Sequence, residues 1–139
     1  VMAKMSQEVQ DLFNEVADVV LATARKDDAQ PNACIIGAKR IIDDETIYIS
    51  DQFFNKTLAN IRENGKVSIV FWGDNGAAYQ IHGTASYVTE GEQYEQLRAG
   101  FEQFFKDKGL PIVPKGGVFV HVDEVYSSAP GPHAGEKIA

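Results

Sequence analysis

Apolar positions recur at two periods along the chain, and each change of period marks a change of element. Val9, Leu12, Phe13 and Val16 stand three or four residues apart, the spacing of one helix face. Ser6 before them can accept a hydrogen bond from a free helix N–H, and Glu8 suits the positive end. Together they predict a helix over about Gln7 to Ala17. From Val19 to Arg25 the residues are small or β-branched, and Lys26 to Ala29 make a polar turn. A second strand is expected from near Asn32 through Cys34, Ile35 and Ile36 to Lys39, with Ile42 as its outer limit. Asp43-Asp44 then turns the chain into a third strand, Thr46 to Ser50. These three runs predict an antiparallel meander.

Asn55 stands where it would cap a short helix carrying Leu58 and Ile61, and Asn64-Gly65 is expected to end that helix in the left-handed region. Lys66 to Trp72 returns to strand spacing, Gly73-Asp74-Asn75-Gly76 reads as a hairpin turn, and Ala78 to Val88 follows as a strand. Glu92 to Lys106 has helical spacing, with Tyr94, Leu97, Phe101, Phe104 and Phe105 on its apolar side. Val118, Val120 and Val122 alternate as a final strand. Six short antiparallel strands with helices outside them predict an α+β, mainly β domain whose sheet closes into a barrel, because closure removes exposed edges. One domain over residues 1–139 is expected, irregular over 1–5 and 127–139.

Composition narrows the function. The 139 residues are 44% hydrophobic and 24% charged, the balance of one globular domain with a sizeable core. A formal charge of −7 repels phosphate backbones and anionic lipid, so neither nucleic acid nor a membrane is an expected partner. No apolar run has bilayer-spanning length and the start lacks a secretory pattern, so the expected location is the cytoplasm. Two or three local cations would still hold a small anion, since distant charge is screened beyond about 8 to 10 Å. Cys34 is the single cysteine, which excludes an intramolecular disulfide. His82, His121 and His133 have no metal-ligand spacing with one another or with Cys34, so no metal is expected. Nucleophile elbows, phosphate-loop lysines and dinucleotide glycine motifs are all missing, and no catalytic side chain is assigned.

Candidate chemistry gathers in Ser50-Asp51-Gln52-Phe53-Phe54-Asn55-Lys56-Thr57, a strand end that runs directly into a helix start. Free N–H groups at a helix N-terminus attract phosphate; Lys56 adds a charge and Thr57 a hydroxyl donor. An ordinary capped helix with a solvated lysine would carry the same residues.

Five stretches taken in order resemble the pyridoxamine 5′-phosphate oxidase-like, FMN-binding split-barrel family: Pro31 to Lys39, Ile47 to Asp51, Asn55 to Ile61, Lys66 to Trp72 and Tyr79 to Ala85. The resemblance spans about Val19 to Val125. It implies a six-stranded split β-barrel with flanking helices, a homodimer, and FMN bound at the dimer interface. By the same resemblance, Lys39 stands at a cofactor-contacting lysine, Ser50 and Asp51 on a strand end along the flavin, and Gln80 at a cofactor-contacting glutamine. Asn55, Lys56 and Thr57 would hold the phosphate, and Ala33, Cys34 and Ile35 would turn backbone polar groups to the ring edge. Cys34 replaces an arginine of the oxidases proper, which leaves more of the anion binding to Lys56, Thr57 and backbone N–H groups.

Substrate residues transfer less well. Tyr94 and Arg98 keep the oxidases' one-turn spacing, but no serine follows, and residues 117–139 contain no arginine. Tyr94 reads more simply as core, and vitamin B6 oxidation is not expected. The resemblance therefore implies a small FMN-dependent oxidoreductase or flavin reductase with a small-molecule electron donor or acceptor; the alternative is a non-catalytic electron carrier or sensor. Deazaflavin or heme could occupy the same fold, with His82 as the candidate axial ligand for heme. Phe53, Phe54 and Trp72 line the flavin face or the core, and the segment Tyr126 to Gly135 is either disordered or wraps the partner subunit.

Overall fold

The computed structural model describes residues 3–139, so the expected irregular start over 1–5 lies partly outside the described residues. Helix α1 covers Gln7–Glu15. The Ser6 hydroxyl accepts from the Val9 N–H at 3.3 Å, and Val9, Leu12 and Phe13 are buried. The helix stops two residues earlier than its apolar period suggests, because Val16 is already extended. The strands are β1 (Val19–Ala24), β2 (Pro31–Ile36), β3 (Lys39–Asp43), β4 (Thr46–Asp51), β5 (Lys66–Trp72), β6 (Ala78–Val88) and β7 (Gly116–Ser127). Helix α2 (Lys56–Glu63) follows β4, and α3 (Glu92–Asp107) follows β6.

All strand pairs are antiparallel and form one curled, seven-stranded sheet in the order β2-β1-β5-β6-β7-β4-β3. The expected count of six is thus corrected to seven, because the run from Asn32 to Ile42 is two strands. Ile36 is the last residue of β2 to pair with β1, and Lys39 is the first of β3 to pair with β4. These two strands lie at opposite ends of the sheet order, yet three Cα steps, at most about 11 Å, join them. Only a sheet curled back toward itself allows that, which makes the architecture a split barrel.

Ile47 and Ile49 of β4 enter the barrel core with Leu21, Ile69, Phe71, Ile81, Val118 and Val120. Tyr48 faces the other way, under Tyr94, Leu97 and Phe101 of α3. β4 is therefore covered on both faces. Gly117 lets Tyr48 approach, since a Cβ there would lie 2.1 Å from its hydroxyl. Phe104, expected on the apolar side of α3, is instead half-exposed at the helix rim.

α2 does not end in the left-handed region. Asn64 is extended at φ −145°, and Gly65 accepts from the Ala85 N–H at 2.7 Å so that the chain enters β5 directly. A Cβ on Gly65 would lie 2.9 Å from the Ala85 carbonyl oxygen, so close approach, not a turn, calls for glycine there. After β7 the chain turns back on itself. Ser127 N–H donates to the Glu136 carbonyl at 2.9 Å, and Ile138 N–H to the Val125 carbonyl at 2.8 Å.

Candidate functional site

β2 and the β4–α2 connection enclose a cleft of about 310 Å³ lined by Asn32 to Ala38, Ser50, and Gln52 to Thr57. Alternation along β2 sets its contents. Asn32 and Cys34 turn toward α2: the Asn32 amide donates to Thr57 Oγ1 at 3.0 Å and Thr23 Oγ1 at 3.2 Å, and Cys34 Sγ lies 3.4 Å from Thr57 Oγ1. Asn60, one turn on, donates to the same Thr23 hydroxyl at 3.0 Å. This buried polar set fixes the first turns of α2 against β1 and β2. Ala33 and Ile35 point outward, and Ile35 is 75% exposed.

The start of α2 differs from an ordinary capped helix. Asn55 occupies the N-cap position with φ −130° and ψ −85°, and its side chain makes no capping bond. The first turn contains no acidic residue. Lys56 is exposed and makes no hydrogen bond or ion pair among the described residues. Free N–H groups, the positive helix end and an unpaired ammonium therefore share one cleft.

Of the residues singled out in the sequence, Ala33, Cys34, Ile35, Ser50, Asn55, Lys56 and Thr57 line this cleft. Ser50 is buried and its hydroxyl accepts from the Gln52 amide. Asp51 lies behind the cleft, with no exposure to solvent. Lys39 lies outside it: its ammonium donates to the Phe13 and Val16 carbonyls at 2.6 and 2.9 Å, at the C-terminal end of α1. Gln80 is on β6, opposite Val70 and Tyr126, and also lies outside the cleft. Asn32 was missed, though the period-2 alternation on β2 could have found it, and Gln52 stood in the Ser50 to Thr57 stretch with no role assigned. Tyr87 and Lys115 bond the Asp51 carboxylate, and no local pattern marks either.

A broader groove of about 820 Å³ lies along β1, β5 and β6. His82 lies in it with Glu124 Oε1 3.7 Å from its Nδ1, and Lys137 is 3.3 Å from the same carboxylate. Its charges are mixed: Glu124 is paired with Lys137, while Lys66 and Asp123 both meet the Thr84 hydroxyl. Among the described residues no three His, Cys, Asp or Glu side chains are grouped to hold a metal ion, and no helix is long and apolar enough to cross a membrane.

Residues 5–128 match the family model described as pyridoxamine 5′-phosphate oxidase. The uncharacterized protein MJ0282 of Methanocaldococcus jannaschii is 38% identical over 141 residues, covering 99% of this chain and 90% of that protein. The crystal structure of HupZ from Group A Streptococcus is similar with a TM-score of 0.78 at 31% identity, over 94% of this chain and 99% of that one. An FMN-binding protein from Syntrophomonas wolfei has the same fold, with a TM-score of 0.71 at 21% identity over 86% of this chain and 83% of that one.

Proposed function

Because the chain belongs to the pyridoxamine 5′-phosphate oxidase family, we propose that it is an FMN-binding flavoprotein, a small oxidoreductase that works as a homodimer. The observation that carries this reading is the α2 N-terminus, where uncapped N–H groups and the unpaired Lys56 open on the cleft beside β2. That donor set suits a phosphate monoester, for which a helix N-terminus and one cation are a common combination. Cys34 in place of an arginine makes Lys56 the main cation for the anion. A volume of 310 Å³ lies at the low end of ligand sites, about 300 to 1,000 Å³. It suits the phosphate end of FMN, leaving the ring toward the rim beside the exposed Ile35 and Phe53, where a second copy of the chain would cover it.

Bound FMN would supply hydride and electron transfer. The protein's part is to bind and orient: Lys56 and the α2 amides hold the anion, the Asn32–Thr57–Cys34 set keeps the helix start in place, and the apolar rim excludes water. Pyridoxamine phosphate is not the proposed substrate. Tyr94 is only 4% exposed, on the buried face of α3 against Tyr48, and Arg98 is engaged by Glu95 at 3.1 Å and Glu102 at 3.6 Å. Neither is free to grip a second phosphate. A neutral electron acceptor, with a nicotinamide cofactor as donor, fits the remaining lining of Cys34, Ile35 and Phe53.

Absorption of the purified protein and fluorescence titration with FMN test the reading. Lys56→Ala should weaken FMN about 10- to 100-fold, the equivalent of one charged hydrogen bond of about 1.5 to 3 kcal/mol, and Lys56→Arg should cost less. Equal affinity in wild type and Lys56→Ala would overturn the phosphate assignment.

A further inference from the structure

Behind the cleft, two residues far apart in sequence close on one peptide. Asp51 ends β4 with its side chain fully buried, a placement that is costly for a carboxylate unless its charge is met. Its Oδ1 accepts from the Phe54 N–H at 2.8 Å; its Oδ2 accepts from the Tyr87 hydroxyl at 2.6 Å and the Lys115 ammonium at 2.9 Å. The same ammonium donates to the Phe54 carbonyl at 3.0 Å, and the Lys115 N–H donates to the Asp51 carbonyl at 2.9 Å. Both backbone polar groups of Phe54, the residue before Asn55, are thus held by one ion pair. Tyr87 extends the cluster to the far end of α2, where the Arg62 guanidinium lies 5.1 Å from its ring centre. α2 is tied at both ends to one buried carboxylate.

We propose that Asp51 and Lys115 are positioning residues for the anion site: they lock the Phe54 peptide so that the α2 N–H groups and Lys56 face the cleft. Lys115 also neutralises a carboxylate that would otherwise repel the anion. Phe54 is two residues from Lys56, so that repulsion would act within about one Debye length. The anion named here rests on the FMN reading; the locking of the turn does not. Asp51 itself reaches no ligand, being covered and already bonded through both oxygens.

The test uses the full chain as wild type, Lys115→Met and Lys115→Arg. Hydrogen exchange read over residues 52–63 needs no ligand. Lys115→Met should accelerate it at least tenfold there while β5 and β6 keep wild-type exchange, and Lys115→Arg should restore most of the protection. Titration with FMN and with riboflavin, which lacks the phosphate, separates anion positioning from general loosening. Lys115→Met should weaken FMN at least tenfold and riboflavin less than threefold. Unchanged exchange at 52–63, or an equal rise across the whole chain, overturns the positioning role. Equal losses for FMN and riboflavin overturn its link to the anion. Local acceleration in Lys115→Met, together with a wild-type protein that takes up no FMN, supports the locking and overturns the flavin reading alone.

Discussion

The ammonium of Lys39 sits among the last carbonyls of α1 and 4.7 Å from the centre of the Phe13 ring. Burial pushes its pKa down, and Asp18 partly opposes that shift. A cation in this place satisfies carbonyls that the helix leaves unpaired and offsets the negative helix end. Lys39→Met should therefore lower stability by about 1 to 2 kcal/mol in urea unfolding, while changing FMN affinity less than Lys56→Ala does. A large flavin effect with unchanged stability would return Lys39 to the cofactor. Tyr87 gives a pH dependence. Its pKa is pushed far above the ordinary phenol value, first by burial and then by the hydrogen bond to Asp51. The folded chain keeps a proton that the unfolded chain releases near pH 10, so the contribution is complete below that pH and is lost as pH rises above it. Tyr87→Phe should cost about 1 to 3 kcal/mol at pH 7 and flatten the fall in stability between roughly pH 9 and 11. Parallel curves for the two proteins would rule this out; comparing them cancels the opposite trend from Lys39. At this scale the sequence reveals what is contiguous or periodic: Asn55 to Thr57 arrive in the cleft as neighbours, and Tyr94 is core as its helical spacing says. It does not reveal Asp51's partners, one of which stands 64 residues away.

Among the elements, most strand and helix spans follow from alternation and caps, and the boundary at Gly37 and Ala38 does not. β2 and β3 have similar composition, and only their partners, β1 and β4, separate them. β7 is likewise divided by its neighbours. Its first half, Gly116 to His121, pairs with β4, whereas Val125 and Ser127 bond the returning segment at Ala139 and Glu136. That segment takes the place of a strand partner over the far half of β7. Removing residues 129–139 should release these two amides, with exchange at Val125 and Ser127 at least tenfold faster by NMR and the Gly116 to His121 half unchanged. Uniform behaviour along β7 would mean that the segment contributes nothing to the ladder.

For the whole molecule, strand registers align Ile35, Val20, Val70, Gln80 and Tyr126 in one row across the outer sheet face. Ile35 and the nearby end of β5 at Trp72, 58% exposed, leave apolar surface there beside the 79% exposed Phe53 of the cleft rim. The proposed homodimer would cover it, so Ile35→Lys should yield a monomer in sedimentation and lose flavin on dilution more readily than wild type. A wild-type monomer that retains FMN would contradict that assembly. The curled split barrel was legible from the run of short antiparallel strands and the order of motifs, but the division of the Asn32 to Ile42 run into two strands at opposite ends of the sheet order was not, since that depends on which edges meet. The short link from β2 to β3 has a consequence for time as well as shape. β3 meets β4 locally, yet β4 must find β7, and β1 must find β5, across long intervening stretches of chain. Such pairings form slowly because loop closure precedes the contacts that reward it. The cleft lies between elements that these long-range pairings bring together, so it should be completed late in folding, and uptake of the proposed flavin should follow recovery of the sheet instead of guiding it.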